Sequence, residues 1–340
     1  MVFHTPWAVG GGAEHQVEIA RQQTFDATGG AEGISRPGNL KVQPLAVPGT
    51  KVRVAPGGAL LVNRYPGGDG QSYTVRNDAQ VEVDVTATGS GAGRSDLVVA
   101  RVLDPQYEGQ PPADPDEFDY ARVEVIEGVS SSTKSARDLN LNYPAIALAR
   151  IDLPASTGTV QAAHITDLRE LAQPRKERHL IAYNMYSDDG PNGDGRQTLS
   201  NPNGQGFPQP RYTRADWKVD VPEWAQRVKV VCTWAGVFLE GGGDTWGRVW
   251  GRIGQFPESD PDPGEFIDTQ KTSFNSANVT DNVREVWVSA DDKAVPAALR
   301  GRRVNAYLRG QLDGGTGNHR PRLTPTSALV MDIEFYETAV

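Results

Sequence analysis

The chain has 340 residues, with 34 Lys and Arg against 43 Asp and Glu and a formal net charge of −9, a balance that argues against nucleic acid or an anionic membrane as its main partner. Mean hydropathy is −0.49, and no apolar run approaches the roughly 18–20 residues of a membrane span, so no membrane insertion is expected. The lone cysteine, Cys232, excludes an internal disulfide and a paired-cysteine metal clip.

The length points to two domains. The 37 glycines and 24 prolines are interspersed among short Val- and Thr-rich runs, the composition of an all-β protein with many turns. The start, "MVFHTPWAVGGGAEHQ", has no positive patch followed by a long apolar stretch, so a Sec signal peptide is not expected.

Residues 1–40 read as an extended glycine-rich arm, with one short strand at "HQVEIA" and few apolar positions of its own. Such an arm is expected to dock on a neighbouring subunit or partner. From residue 41 strands come at short spacing: "KVQPLAV", "KVRVAPG", "ALLVNRY", "QSYTVR", "VEVDVTATG", "DLVVARVLD", "ARVEVIEG" and "AIALARIDLP", parted by "PGT", "PGG", "PGGDG" and "GSGAG". This is the signature of a β-sandwich over residues 41–175. "HITDLRELAQP" reads as a short helix closed by Pro174, with Thr166 or Asp167 near its N-cap.

"RKERH" (175–179) is a charged junction, and a second β-sandwich is expected over 176–340. Its strands are "LIAYNMY", "WKVDVP", "RVKVVCTWAGVFLE", "TWGRVWGRIGQF", "REVWVSA", "RRVNAYLRGQL" and "SALVMDIEFYE", and six of the seven tryptophans lie here. The strand count leaves a jelly roll or another sandwich open. "VPAALRG" reads as a helical turn with Pro296 at its start and Gly301 just past its end.

Chemistry-bearing motifs are sparse. His4, His15, His164, His179 and His319 are isolated, none in HExxH or HxH spacing. Period two places Cys232 with Val228, Val230 and Trp234 on one strand face, a core position without a base. No G-x-S-x-G occurs, and "GGGAEH" and "GGGDTWG" lack a phosphate-loop lysine. Carboxylates gather in "PADPDEFDY", "SDDGPNGDG" and "ESDPDPGEF". The second offers Asp188, Asp189, Asn192 and Asp194 as calcium candidates, but position twelve of the loop is Leu199 or Ser200 rather than the EF-hand glutamate. A solvated turn is the plainer reading. No catalytic residue and no cofactor is expected.

The most specific surface feature is "DTWGRVWGRIG" (244–254), where alternation puts Trp246, Arg248, Trp250 and Arg252 on one face. Such a ladder serves either as a glycan platform, indoles stacking on sugar rings and arginines donating to hydroxyls, or as a structural contact in which arginines stack between tryptophans. The stretch "GRSDLVVARVLDPQYEG" (93–109) poses a similar choice between an active-site rim and a strand. Leu97, Val99 and Arg101 would share one face and Val98, Ala100 and Val102 the other, with Asp96 and Asp104 near the ends to cap turns or pair with Arg94 and Arg101. It reads as scaffold.

The blocks "GGAEGISRPGNLKV", "VRVAPGGALLVNRYPGGDGQSYTVRN", "GSGAGRSDLVVARVLDPQY", "YPAIALARIDLPASTGTV" and "ITDLRELAQPR" span roughly residues 29–175. Together they resemble the N-terminal module of minor tail proteins from long-tailed phages of actinobacteria. The C-terminal half resembles only loosely the variable sandwich tips of that family. The resemblance implies a virion component of the tail tip or baseplate, assembled in the host cytoplasm. It would dock on other tail proteins through its first domain and meet a host-surface glycan through its second, commonly as a homotrimer, with no catalytic residues to carry over. A structural cement protein and a cell-wall glycan hydrolase are the alternatives.

Overall fold

The computed structural model describes residues 15–185, 196–207, 217–254, 265–316 and 319–339. The chain divides into two compact units: one runs to Pro174 and takes back the last residues from Thr338, and the other is Arg175–Glu337. Both are built almost wholly of β-strands.

The first unit contains α1 (Val17–Thr28), β1 (Gly33–Ile34), β2 (Val42–Pro44), β3 (Lys51–Val54), β4 (Gly57–Val62) and β5 (Ser72–Asn77). It continues with β6 (Val81–Asp84), β7 (Arg94–Val102), β8 (Ala121–Val129), β9 (Ala145–Leu153) and β10 (Ile165–Asp167). The four-stranded sheet β10-β9-β7-β8 accompanies two three-stranded sheets, β1-β4-β5 and β2-β3-β6. One core cluster joins Val52, Val54, Ala59 and Leu61 of the small sheets to Val98, Ala100, Val102, Leu148 and Ile151 of the large one. A second cluster gathers Leu97, Val99, Ala145 and Ala147 with Ala136.

β7 is therefore buried on both faces, and its Leu97 and Val99 face is covered by Ala136, Leu139, Leu141 and Tyr143. Its charged groups have partners within the unit. Asp96, fully buried, accepts from Arg94 Nε at 2.7 Å and from the Gly128 amide at 3.0 Å. Arg101 is paired with Glu108 at 2.5 Å and Glu124 at 3.2 Å, and its guanidinium lies 3.8 Å from the Tyr143 ring centroid. Asp104 pairs not with Arg101 but with Arg21, at 2.9 Å, while accepting from Tyr73 Oη and the Gln106 amide.

Two expectations are corrected here. Residues 17–28 of the arm are helical, because "EIARQQ" is rich in helix formers and Gly29 supplies the left-handed cap at φ 61°. This helix docks on its own unit, through Arg21 to Asp104 and over the Tyr73 ring at 5.1 Å. "HITDLRELAQP" is not a helix: Ala162–His164 forms a 3-10 turn and Ile165–Asp167 pairs antiparallel with β9. Its Ile165 and Leu171 enter one core cluster and Leu168 the other. Asp167, expected near a cap, chelates Arg169 at 2.8 and 2.6 Å. Tertiary burial overrides local propensity.

The second unit contains β11 (Lys176–Asn184), β12 (Gln197–Thr198), β13 (Gln205–Phe207), β14 (Lys218–Asp220), β15 (Arg227–Leu239) and β16 (Gly243–Gly254). Then follow β17 (Phe266–Asp268), β18 (Thr272–Val279), β19 (Val283–Ala294), β20 (Arg303–Gly315), β21 (Arg322–Leu323) and β22 (Ala328–Tyr336). "RKERH" opens this unit at the boundary and runs into β11 from Lys176. The pairings give β11-β22-β15-β19 in one sheet and β14-β20-β16-β18 in the other. Taken in chain order, those eight strands alternate between sheets except at the paired β16 and β18, as the strands of a jelly roll do. Val228, Val230, Cys232 and Trp234 of β15, Val249 and Ile253 of β16, and Leu329, Met331, Ile333 and Phe335 of β22 fill the space between them. Ala297–Leu299 is a 3-10 turn, with Pro296 before it and Gly301 at φ 71° after it.

Candidate functional site

β16 is a central strand, paired with β20 along one side and with β18 and β17 along the other. Its inward positions are Val249 and Ile253, both in the core. Alternating with them on the same face, Gly247 and Gly251 fall where the Phe274 ring and Cys232 Sγ leave no space for a Cβ. The outward positions are Trp246, Arg248, Trp250 and Arg252, as alternation requires.

Those four side chains do not share one environment. Trp250 is only 3% exposed. The Lys271 ammonium and the Arg309 guanidinium lie over its ring, 4.5 and 5.3 Å from the centroid, and Gly204 lies against its edge. Arg252 is likewise buried, chelating Asp268 at 2.5 and 2.6 Å with its guanidinium 3.8 Å from the Phe266 centroid. Burial alone would lower its pKa, but the hydrogen bonds to Asp268, the charge of that carboxylate and the Tyr307 hydroxyl together raise it. Trp250 and Arg252 are therefore corrected from ligand-facing to internal: they hold this half of the ladder together.

The other half is open. Trp246 is 41% exposed, its indole resting on Gly314 across the strand pair. Arg248 donates to both oxygens of Asp313, at 2.8 and 2.9 Å, and Gln311 Nε2 donates to the same carboxylate at 3.0 Å. The hydrogen bond from Arg248 holds the Asp313 carboxyl below the usual carboxylate range. On β18 the exposed Asn275 stands opposite Trp246, and the exposed Ser273 opposite Arg248. An open indole face bordered by a planar guanidinium–carboxylate pair and small polar side chains suits a ring that is apolar on one face and rich in hydroxyls at its rim. Asp313, Gln311, Asn275 and Ser273 were not singled out from the sequence. Their signal is the polar alternation in "TSFNSANV" and "RGQLDGG", which reads equally as loop.

The calcium candidates Asp188, Asp189, Asn192 and Asp194 lie outside the described residues. Among the described residues no cluster of three His, Cys, Asp or Glu side chains is placed to hold a metal. His319 sits over Gly243 with Nδ1 3.3 Å from the Glu240 carbonyl, and His164 Nδ1 accepts from the Gln161 amide. Cys232 is buried in the core, and desolvation pushes its thiol pKa up, away from a reactive thiolate.

No protein-family model matches the chain, and no curated protein matches it. Among solved structures, it is similar to infectious bursal disease virus Gx strain at 9% identity and a TM-score of 0.25, covering 92% of this chain and 72% of that one. It is similar to the T13 particle of the same virus at 12% identity and a TM-score of 0.27, covering 90% and 76%. A third similarity is to the CBM22-1-CBM22-2 tandem domain of Paenibacillus barcinonensis Xyn10C, at 10% identity and a TM-score of 0.20, covering 91% and 100%.

Proposed function

We propose that the chain is a structural protein of a virus particle, a minor tail or baseplate protein of a long-tailed phage of actinobacteria, and that its jelly-roll unit binds a host-surface glycan at Trp246. The tail assignment is supported by the resemblance of the blocks between residues 29 and 175. The glycan assignment is carried by one observation: Trp246 presents an open indole beside the Arg248–Asp313 chelate, while the rest of the ladder is closed. In this reading the indole stacks on the apolar face of a sugar ring. Arg248, Gln311 and Asn275 supply donors to its hydroxyls, and Asp313 fixes the guanidinium plane. A single stack of this kind binds weakly, and several copies on one particle raise avidity by about 10²–10⁴.

The test is binding of the intact chain to isolated actinobacterial cell walls. Trp246→Ala should abolish it while leaving the fold intact, and unchanged binding by that variant refutes the site. A chain that only cements the tail tip should not bind walls at all. A hydrolase would release soluble sugar fragments from them.

A further inference from the structure

The jelly-roll sheet β11-β22-β15-β19 turns one face away from the core and leaves it open to solvent. Leu180 is 66% exposed, Val286 63%, Val288 47% and Val231 41%. The strand register makes them neighbours: Val288 stands opposite Thr233, and Thr233 opposite Val330, while Val231 and Leu180 both oppose Asp332. The band is apolar except at Asp332, which stands between Val231 and Leu180 and is paired with Arg178, and such a band on an open sheet is the mark of a contact surface.

Beside the band runs a charged row with an order of its own. Reading straight across the four strands, Asp292 of β19 is opposite Lys229 of β15, which is opposite Glu334 of β22, which is opposite Arg178 of β11. The signs run minus, plus, minus, plus. Turning the sheet over about an axis parallel to its strands, midway between β15 and β22, reverses the order of strands and leaves each row facing itself. Asp292 then meets Arg178 of the second copy, and Lys229 meets Glu334. The row is its own complement under that rotation. Under it Leu180 meets Ala290 of the second copy and Val288 meets Ala182, while Asp332, held by Arg178 of its own chain, meets Val231. A two-fold axis perpendicular to the strands would instead lay the whole charged row on the apolar end of the face.

We propose that this sheet face is an isologous interface between two copies of the chain, related by a two-fold axis parallel to the strands. Four strands at about 4.8 Å spacing, each nine residues long at about 3.4 Å per residue, cover about 590 Å² per copy and about 1,200 Å² in total, enough for a specific contact. At present Arg178 pairs with Asp332 and Asp292 with Arg227 within the chain. The Arg227–Asp292 pair adjoins the charged row, and the Arg178–Asp332 pair reaches from that row into the band, so Asp292 and Asp332 already have guanidinium partners when the contact covers them. This pairing departs from the three-fold arrangement that the tail-protein resemblance implies, and it is independent of the Trp246 site.

The experiment is sedimentation equilibrium of the intact chain with charge exchange. The 36.8 kDa chain should give twice that mass, and Val286→Glu should weaken association at least ten-fold with an unchanged circular dichroism spectrum. Asp292→Arg and Arg178→Asp should each weaken it, and the double exchange should restore it. These residues sit on the two outermost strands of the four, too far apart to pair within one copy, so recovery reports contact between copies. A monomer at 100 µM, a three-copy mass, undiminished association of Val286→Glu, or a double exchange no better than either single overturns the proposal.

Discussion

Cys232 Sγ lies directly beneath Gly251, across the space between the two jelly-roll sheets, and fills the place a Cβ at residue 251 would take. Neither residue is a chemical group in waiting: the thiol is packing, and the glycine is the hollow that receives it. Gly251→Ala should therefore destabilise the second unit by about 1–3 kcal/mol through overpacking, and Cys232→Ala in the same chain should return part of that loss. Urea denaturation of the two single variants and the double variant measures the coupling.

The same contact predicts an inert thiol. Burial raises the Cys232 pKa and closes access to it, so a thiol reagent at pH 8 should leave the native chain unlabelled and label it once it is unfolded in guanidinium. Stoichiometric labelling of the native chain would contradict this packing.

Trp246 and Trp250 are two residues apart on one strand face but should respond oppositely to truncation. Trp250→Ala removes a buried ring clasped by Lys271 and Arg309 and should cost about 3–5 kcal/mol. Trp246→Ala touches an exposed ring and should change stability by about 0.5 kcal/mol or less. Thermal melts of the two variants decide it.

The pH dependence of binding follows from Asp313. Its folded-state pKa is depressed by the hydrogen bond from Arg248, so the ordered chelate is fully present above the carboxylate's unperturbed pKa and is lost as pH falls through the lower folded value. Glycan affinity should be flat from pH 8 down to about 5 and fall only in the acid range below about pH 4. Asp313→Asn should bind weakly throughout, without that acid limb.

In the first unit, Asp96→Ala should destabilise by about 3 kcal/mol, because it leaves Arg94 and the Gly128 amide without their buried acceptor. The loss should appear as a lower denaturation midpoint with no effect on wall binding.

Much of this architecture was legible from strict alternation. Val228, Val230, Cys232 and Trp234 announce an inward face at every second residue, and the structure buries all four. β18 was not legible, because only Phe274 marks its inner face strongly while Ser273 and Asn275 lie open. The helix α1 was hidden between glycine clusters that suggested an arm, although Gly29 at its end was a usable stop signal. "HITDLRELAQP" misled because Ile165, Leu168 and Leu171 have helical spacing yet reach two different cores. The Trp-Arg ladder shows the same limit from another side: alternation assigns Trp246 and Trp250 to one face, but only the fold brings Gly204, Lys271 and Arg309 over the second of them. Asp313 and Gln311 join the site from β20, some 60 residues further along the chain, a separation no local pattern bridges.

The most direct measurement is a tryptophan-fluorescence titration of the intact chain with soluble cell-wall oligosaccharide from an actinobacterial host. Saturable quenching that vanishes in Trp246→Ala is the predicted result. No saturable change in the native chain, or the same curve from the variant, would contradict a glycan held on that indole.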